Sequence, residues 1–121
     1  NIIVMKKSNV YVTQEIQGSS KGMPRINIMG ATEYGELHFL LPEQSQMIYS
    51  PAPLITQLRK GLKDFNDDDY LLLTGDPAIM AVAAAMVSTI NNGKFKLLKW
   101  DKQEFKYYPL DINLHKGGRS E

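Results

Sequence analysis

The stretch Tyr70-Leu71-Leu72-Leu73-Thr74-Gly75-Asp76-Pro77-Ala78 decides the fold. Its first half is a short continuous apolar run, which suits a strand covered on both faces. Gly75 ends the run. Asp76 is a residue type that caps helices, and Pro77 suits a first helical position. Residues 78–90 then run without a charge and stop at Asn91-Asn92-Gly93, a helix-ending sequence. A strand feeding directly into a helix predicts a βαβ crossover.

The flanks extend this reading. Downstream, residues 94–100 and 105–112 read as two strands around Asp101-Lys102-Gln103-Glu104, a hairpin. Upstream, apolar residues at 54, 55, 58, 62 and 65 have helical spacing, with Arg59, Lys60 and Lys63 outside the stripe. Gly61 lies inside that helix at a cost of about 1 kcal/mol against alanine. Further upstream, Asn9-Val10-Tyr11-Val12-Thr13-Gln14-Glu15-Ile16 is dense in β-branched and aromatic residues. Arg25-Ile26-Asn27-Ile28-Met29 alternates polar and apolar residues, and Leu37-His38-Phe39-Leu40-Leu41 is a third strand, closed by Pro42. Residues 9–41 thus read as antiparallel strands joined by loops. The expected order is β-β-β-α-β-α-β-β. The fold class is α+β or α/β: one mixed sheet of about six strands with two helices, parallel strands near its centre and hairpins at its edges.

Composition sets limits. The chain of 121 residues fits a single domain, 1–121, with 115–121 a flexible tail. Hydrophobic residues make 43% and charged residues 22%, which excludes wholesale disorder. No apolar run approaches the roughly 18 residues of a membrane span. Fourteen basic residues face thirteen acidic ones, so no global nucleic-acid footprint exists. There is no cysteine, which removes thiol catalysis, disulfides and thiolate zinc sites. Only His38 and His115 are present, too few for a histidine-rich metal centre. The start, Asn1-Ile2-Ile3-Val4-Met5-Lys6-Lys7, is too short and wrongly flanked for an export signal and reads as a short strand or arm. Without an export signal or cysteines, the expected location is cytoplasmic.

The helix over 78–90 is apolar on two sides. Ile79, Val82, Ala83, Met86 and Ile90 form one stripe; Met80, Ala84 and Val87 form another. One small sheet covers one side only. A homo-oligomer using Met80, Ala84 and Val87 is therefore expected, with Ala81, Ala85 and Ser88 permitting close approach.

Three further patterns carry candidate chemistry. Thr74, Gly75 and Asp76 stand at a strand end and a helix start, where α/β sheets bind ligands and helix N-termini attract anions. Against this, Asp76 is itself negative and no phosphate-loop lysine follows, so capping alone is the plainer reading of the turn. Asp67-Asp68-Asp69 has oxygen ligands for a hard cation, but consecutive acids lack calcium-loop spacing and fit a solvated loop. Lys94, Lys96, Lys99 and Lys102 interleave with Phe95, Trp100, Phe105, Tyr107 and Tyr108. Such a pattern binds single-stranded nucleic acid when lysines follow phosphates and rings stack on bases. The plainer reading is a hairpin protected at its edge by lysines. His38 has no serine or carboxylate at a diagnostic distance, and no nucleophile–base pair, metal cluster or cofactor motif assembles. No catalytic residue, metal site or cofactor is assigned.

The block Lys63-Asp64-Phe65-Asn66-Asp67-Asp68-Asp69-Tyr70-Leu71-Leu72-Leu73-Thr74-Gly75-Asp76-Pro77, with Lys96-Leu97-Leu98-Lys99-Trp100-Asp101-Lys102 and Tyr107-Tyr108-Pro109-Leu110, resembles a family of small uncharacterised proteins encoded in tailed-bacteriophage genomes. The strand at 10–15 and the segment at 35–42 fit the same group. The resemblance implies a phage origin and work in the infected bacterial cytoplasm, and it transfers no activity. The expectation is a non-enzymatic phage accessory protein acting by binding as a homo-oligomer, with a host protein as a further partner. Single-stranded nucleic-acid binding through residues 94–108 is the alternative, and nucleotide binding at 74–77 a second one.

Overall fold

The computed structural model describes residues 8–16, 28–46 and 49–115. Five strands form one mixed sheet. β1 is Asn9–Gln14, β2 Glu36–Leu41, β3 Tyr70–Leu72, β4 Lys94–Asp101 and β5 Lys106–Asn113. Helix α1 is Ala52–Gly61 and α2 is Pro77–Ile90, and a 3-10 helix, Ile28–Glu33, separates β1 from β2. The strand order is β2-β1-β3-β4-β5. β1 runs parallel to β2 and to β3, β3 runs parallel to β4, and only β5 is antiparallel, to β4.

The centre and one edge match the sequence reading. β1 and β3 are parallel neighbours in the middle, and the β4–β5 hairpin closes one edge. The N-terminal region differs. β1 and β2 are parallel, not antiparallel, because the long connection between them carries a 3-10 helix and can cross over the sheet. The strand expected at 25–29 falls partly outside the described residues, and Ile28 and Met29 open the 3-10 helix instead. The expected arm at 1–7 and all but His115 of the tail also lie outside the described residues.

The step from β1 to β2 crosses the sheet in one direction, and the steps from β2 to β3 and from β3 to β4 go in the other. Crossovers of one hand must then lie on opposite faces, and they do. Leu58 and Leu62 of the α1 region, Phe65, and Ile79, Ala83 and Val87 of α2 pack on the face carrying Tyr11 and Leu71. Ala31 of the 3-10 helix packs on the other face with Val10, Val12, Leu72, Leu98 and Tyr107. Leu58, Leu62, Leu71 and Ile79 are fully buried. Truncating any of them to alanine costs about 2–5 kcal/mol by the usual large-to-small scale.

Both helix ends of α2 follow the sequence signals. The Ala78 N–H donates to Asp76 Oδ1 at 2.9 Å, the cap foreseen. At the far end Asn92 and Gly93 adopt left-handed conformations, at φ 55° and 79°, and turn the chain into β4. α1 is shorter than its apolar spacing implies, with Gly61 as its last helical residue.

Candidate functional site

The strand order reverses its direction of growth at β1 and β3. In open parallel sheets that switch point, at the carboxyl ends of the strands, is the usual ligand crevice. Here it holds an open cleft of about 420 Å³ lined by Gln14, Glu43, Gln46, Gly75, Asp76 and Pro77, among others. Of the residues singled out from sequence, Gly75 and Asp76 line it, and Thr74 does not.

The polar atoms of Thr74 are engaged within the fold. The Thr74 N–H donates to Thr13 Oγ1 at 2.7 Å, and the Thr13 hydroxyl donates to the Thr74 carbonyl at 2.6 Å. The Thr74 hydroxyl donates to the Gln14 carbonyl and accepts from the Gln14 N–H at 3.2 Å. This two-threonine clasp prolongs the β1–β3 pairing beyond Leu72, and both threonines are buried. Gln14 occupies the switch point itself. Its Oε1 accepts from the Asp76 N–H at 2.8 Å. Its Nε2 donates to the carbonyls of Pro42 at 3.0 Å, Glu43 at 2.9 Å and Ser45 at 2.6 Å. Gly75 has φ +91°, and a Cβ there would overlap the Gln14 side chain. The glycine is therefore demanded by Gln14.

An anion at the start of α2 needs free backbone N–H groups. The N–H of Asp76 serves Gln14, and that of Ala78 serves the Asp76 carboxylate. The described lining of the cleft contains Glu43 and Asp76 and no lysine or arginine. The geometry suits capping and loop fastening better than a phosphate.

The lysines of the hairpin divide between the two faces of the sheet. The β4–β5 register sets Lys94, Lys96 and Trp100 on one face with Asp111 and Tyr107, and Lys99 on the other with Tyr108. Lys102 lies in the turn. Lys96 Nζ sits 5.1 Å over the Tyr70 ring. Trp100 packs edge-on against Tyr107 at 5.0 Å and Phe105 at 6.3 Å. A single-strand track needs cations and free ring faces on one surface, and the four lysines do not converge on one.

On α2, Ile79, Ala83 and Val87 form the stripe facing the sheet, each at 0% exposure. Val87, expected at an oligomer interface, is therefore covered by its own chain. Met80 and Ala84 are half-buried. The open side comprises Ala81 and Ala85, with Val82, Met86 and Ile90 bordering α1.

The aspartate run holds one residue that departs from the solvated loop expected of consecutive acids. Asp67 and Asp68 are exposed, but Asp69 is 1% exposed. Its Oδ1 accepts from the Asn9 N–H at 3.0 Å and the Asn9 Nδ2 at 3.3 Å, and its Oδ2 from the Asn66 N–H at 3.0 Å. Asn9 Oδ1 then lies 2.8 Å from His38 Nε2. Since Asn9 turns its amide N–H toward a carboxylate, its oxygen faces the histidine, and Nε2 carries the hydrogen. The His38 ring stacks on Tyr11 at 5.2 Å. Burial first, then Asp69 and Asp64, push the Tyr11 phenol above its ordinary range. His38 is thus a fastening residue between β2 and β1. His115 packs at the end of β5, its Nε2 2.7 Å from the Asn92 carbonyl. Among the described residues no cluster of three or more metal-ligating side chains forms, and no helix is long and apolar enough to cross a membrane.

Compared with known proteins, the chain matches the family described as Phage Pam3 gp32-like protein over residues 8–114. No curated protein and no solved structure matches it. The match spans every described strand and helix, and the chain belongs to the Phage Pam3 gp32-like protein family.

Proposed function

We propose that the protein acts by binding another protein, without catalysing a reaction, as a phage accessory protein in the cytoplasm of the infected bacterium. Its docking surface is the helical face of the sheet.

One observation carries this reading. Between α1 and α2 runs an open groove of about 480 Å³ floored by Ile55, Val82, Met86 and Ile90, with Arg59 and Lys63 at its edge. Ile90 is 41% exposed. Neither helix contains an acidic residue, whereas α1 ends in Arg59 and Lys60. An apolar groove with a basic rim suits an amphipathic segment with acidic flanks. Two copies meeting through this face would bring like charges together, so the charges favour a host protein over self-association. The engaged donors at the strand–helix turn further support binding over nucleotide chemistry.

The test is affinity capture from infected cells with the full chain and two charge-reversed forms. Arg59→Glu with Lys63→Glu should lose the captured partner. Lys94→Glu with Lys96→Glu, on the hairpin and on the opposite face of the sheet, should retain it. Loss only with the hairpin variant would overturn the assignment of the surface. A second light-scattering arm addresses self-association: a dimer abolished by the Arg59 and Lys63 reversal would replace the host protein by a second copy.

A further inference from the structure

The sheet ends in two unlike edges. β5 is guarded: Pro109 has no N–H to offer, and the exposed Lys106 and Asp111 stand to either side of it. β2, at the other edge, has no lysine and no proline, and its one carboxylate, Glu36, is its first residue. Phe39 is 45% exposed, and among the described residues it is the one large apolar side chain that a strand leaves open.

The pleat of β2 shows which of its backbone groups are spare. The Glu36 N–H donates to the Ser8 carbonyl at 3.1 Å, so Glu36 turns toward β1. In a parallel ladder alternate residues bond the same neighbour. His38 lies on Tyr11 and Leu40 in the helical core, whereas Leu37 packs on the opposite face, so the alternation holds through Leu40. Leu37 and Phe39 therefore turn their N–H and C=O groups outward. Among the described residues, no strand, loop or side chain bonds them on that side.

We propose that β2 is a self-pairing edge, along which two copies of this chain join antiparallel into one ten-stranded sheet. One register uses every spare group. With His38 on the two-fold axis, Leu37 of each copy faces Phe39 of the other, and the two residues exchange both N–H···O bonds. Each exposed ring gains a leucine beside it on the same face. Glu36 stands opposite Leu40, so the carboxylates do not meet. The antiparallel arrangement also sends the basic ends of the two α1 helices, at Arg59 and Lys60, to opposite ends of the joined sheet. Pairing of β2 with β5 of a second copy is opposed by Pro109 and its charged neighbours, so the assembly closes at two. The contact leaves the α1–α2 groove free and does not depend on the protein-binding proposal.

Light scattering of the full chain from micromolar to millimolar concentration tests the pairing, and should show a monomer passing into a dimer. Phe39→Lys, a charge on the bare edge, should remain a monomer with the fold intact by two-dimensional NMR. Phe105→Lys, on the exposed hairpin tip, should still dimerise. In a mixture of 13C-labelled and unlabelled wild-type chains, isotope-filtered NMR should give contacts between the Phe39 ring of one copy and the Leu37 methyls of the other. These contacts decide the matter should Phe39→Lys not fold. A monomer throughout, an assembly larger than a dimer, a dimer that survives Phe39→Lys or is lost with Arg59→Glu and Lys63→Glu, or cross-chain contacts that omit the Phe39–Leu37 pair would each overturn the proposal.

Discussion

The side-chain amide of Gln14 takes the backbone N–H of Asp76 at 2.8 Å, across the switch point of the sheet. The group that would cap a ligand phosphate is thereby a structural strut. The same amide holds three carbonyls of the β2–α1 loop, so one residue fastens two loops to β1.

That relationship makes Gln14 and Gly75 a coupled pair. Gln14→Ala leaves the Asp76 N–H and three carbonyls in search of partners, and should cost about 2–4 kcal/mol in urea unfolding. Gly75→Ala meets both a left-handed backbone and the Gln14 side chain, and should cost about 1–3 kcal/mol. Because Gln14→Ala removes the obstructing side chain, the double variant should cost less than the sum. Strict additivity would contradict the coupling.

How much of this was readable in sequence follows from range. The βα unit at 70–90 was legible because its signals are local: an apolar run, a cap, a proline and an Asn-Gly stop. The parallel pairing of β1 with β2 was not, since nothing local in either strand states which way its neighbour runs. Thr74, Gly75 and Asp76 were recognised as a special turn, but their real partners, Thr13 and Gln14, lie about sixty residues away in sequence. The one hint was a pair of polar residues ending an otherwise apolar strand. Asp69 was concealed for the same reason: three aspartates in a row look alike until Asn9 and Asn66 select one of them. On α2 the apolar arc was seen, but its centre was misplaced, so Val87 was expected outside the core.

Asp69 accepts three N–H bonds with its carboxylate buried. Asp69→Asn turns one acceptor into a donor facing donors. Stability should fall by about 2–3 kcal/mol. Hydrogen exchange should show the loss concentrated at the amino ends of β1 and β3, where Asn9 and Asn66 lose their anchor. Unchanged exchange at Asn9 would contradict this role.

Alkaline pH should loosen the fold through Tyr107. Its phenol lies at about 12 in the native state against an ordinary value of 10.0. The raised native value means that stability is whole below pH 10 and is lost as pH climbs through about 12. Urea midpoints should therefore hold steady from pH 7 to 9 and decline above pH 10. Tyr107→Phe should flatten the decline without removing it, because Tyr11 is shifted in the same direction. A wild-type decline matched by the variant would show that Tyr107 does not govern it.

The division of Lys94 and Lys96 from Lys99 by the strand alternation predicts weak binding of single-stranded nucleic acid. Fluorescence anisotropy of a labelled oligonucleotide should show no saturation at micromolar protein in low salt. Tight, salt-sensitive binding abolished by substituting Lys94, Lys96 and Trp100 would restore the hairpin as an interface.

On the proposed function, the helical face is the surface that meets the partner. A photo-crosslinking amino acid at Ala85, exposed beside the groove, tests it in infected cells. Identification of the attached peptide by mass spectrometry should return a segment of another protein, with apolar residues at helical spacing and acidic flanks. The same crosslink should vanish when Arg59 and Lys63 become glutamate. Attachment to this chain alone, or none under conditions where capture succeeds, would contradict it.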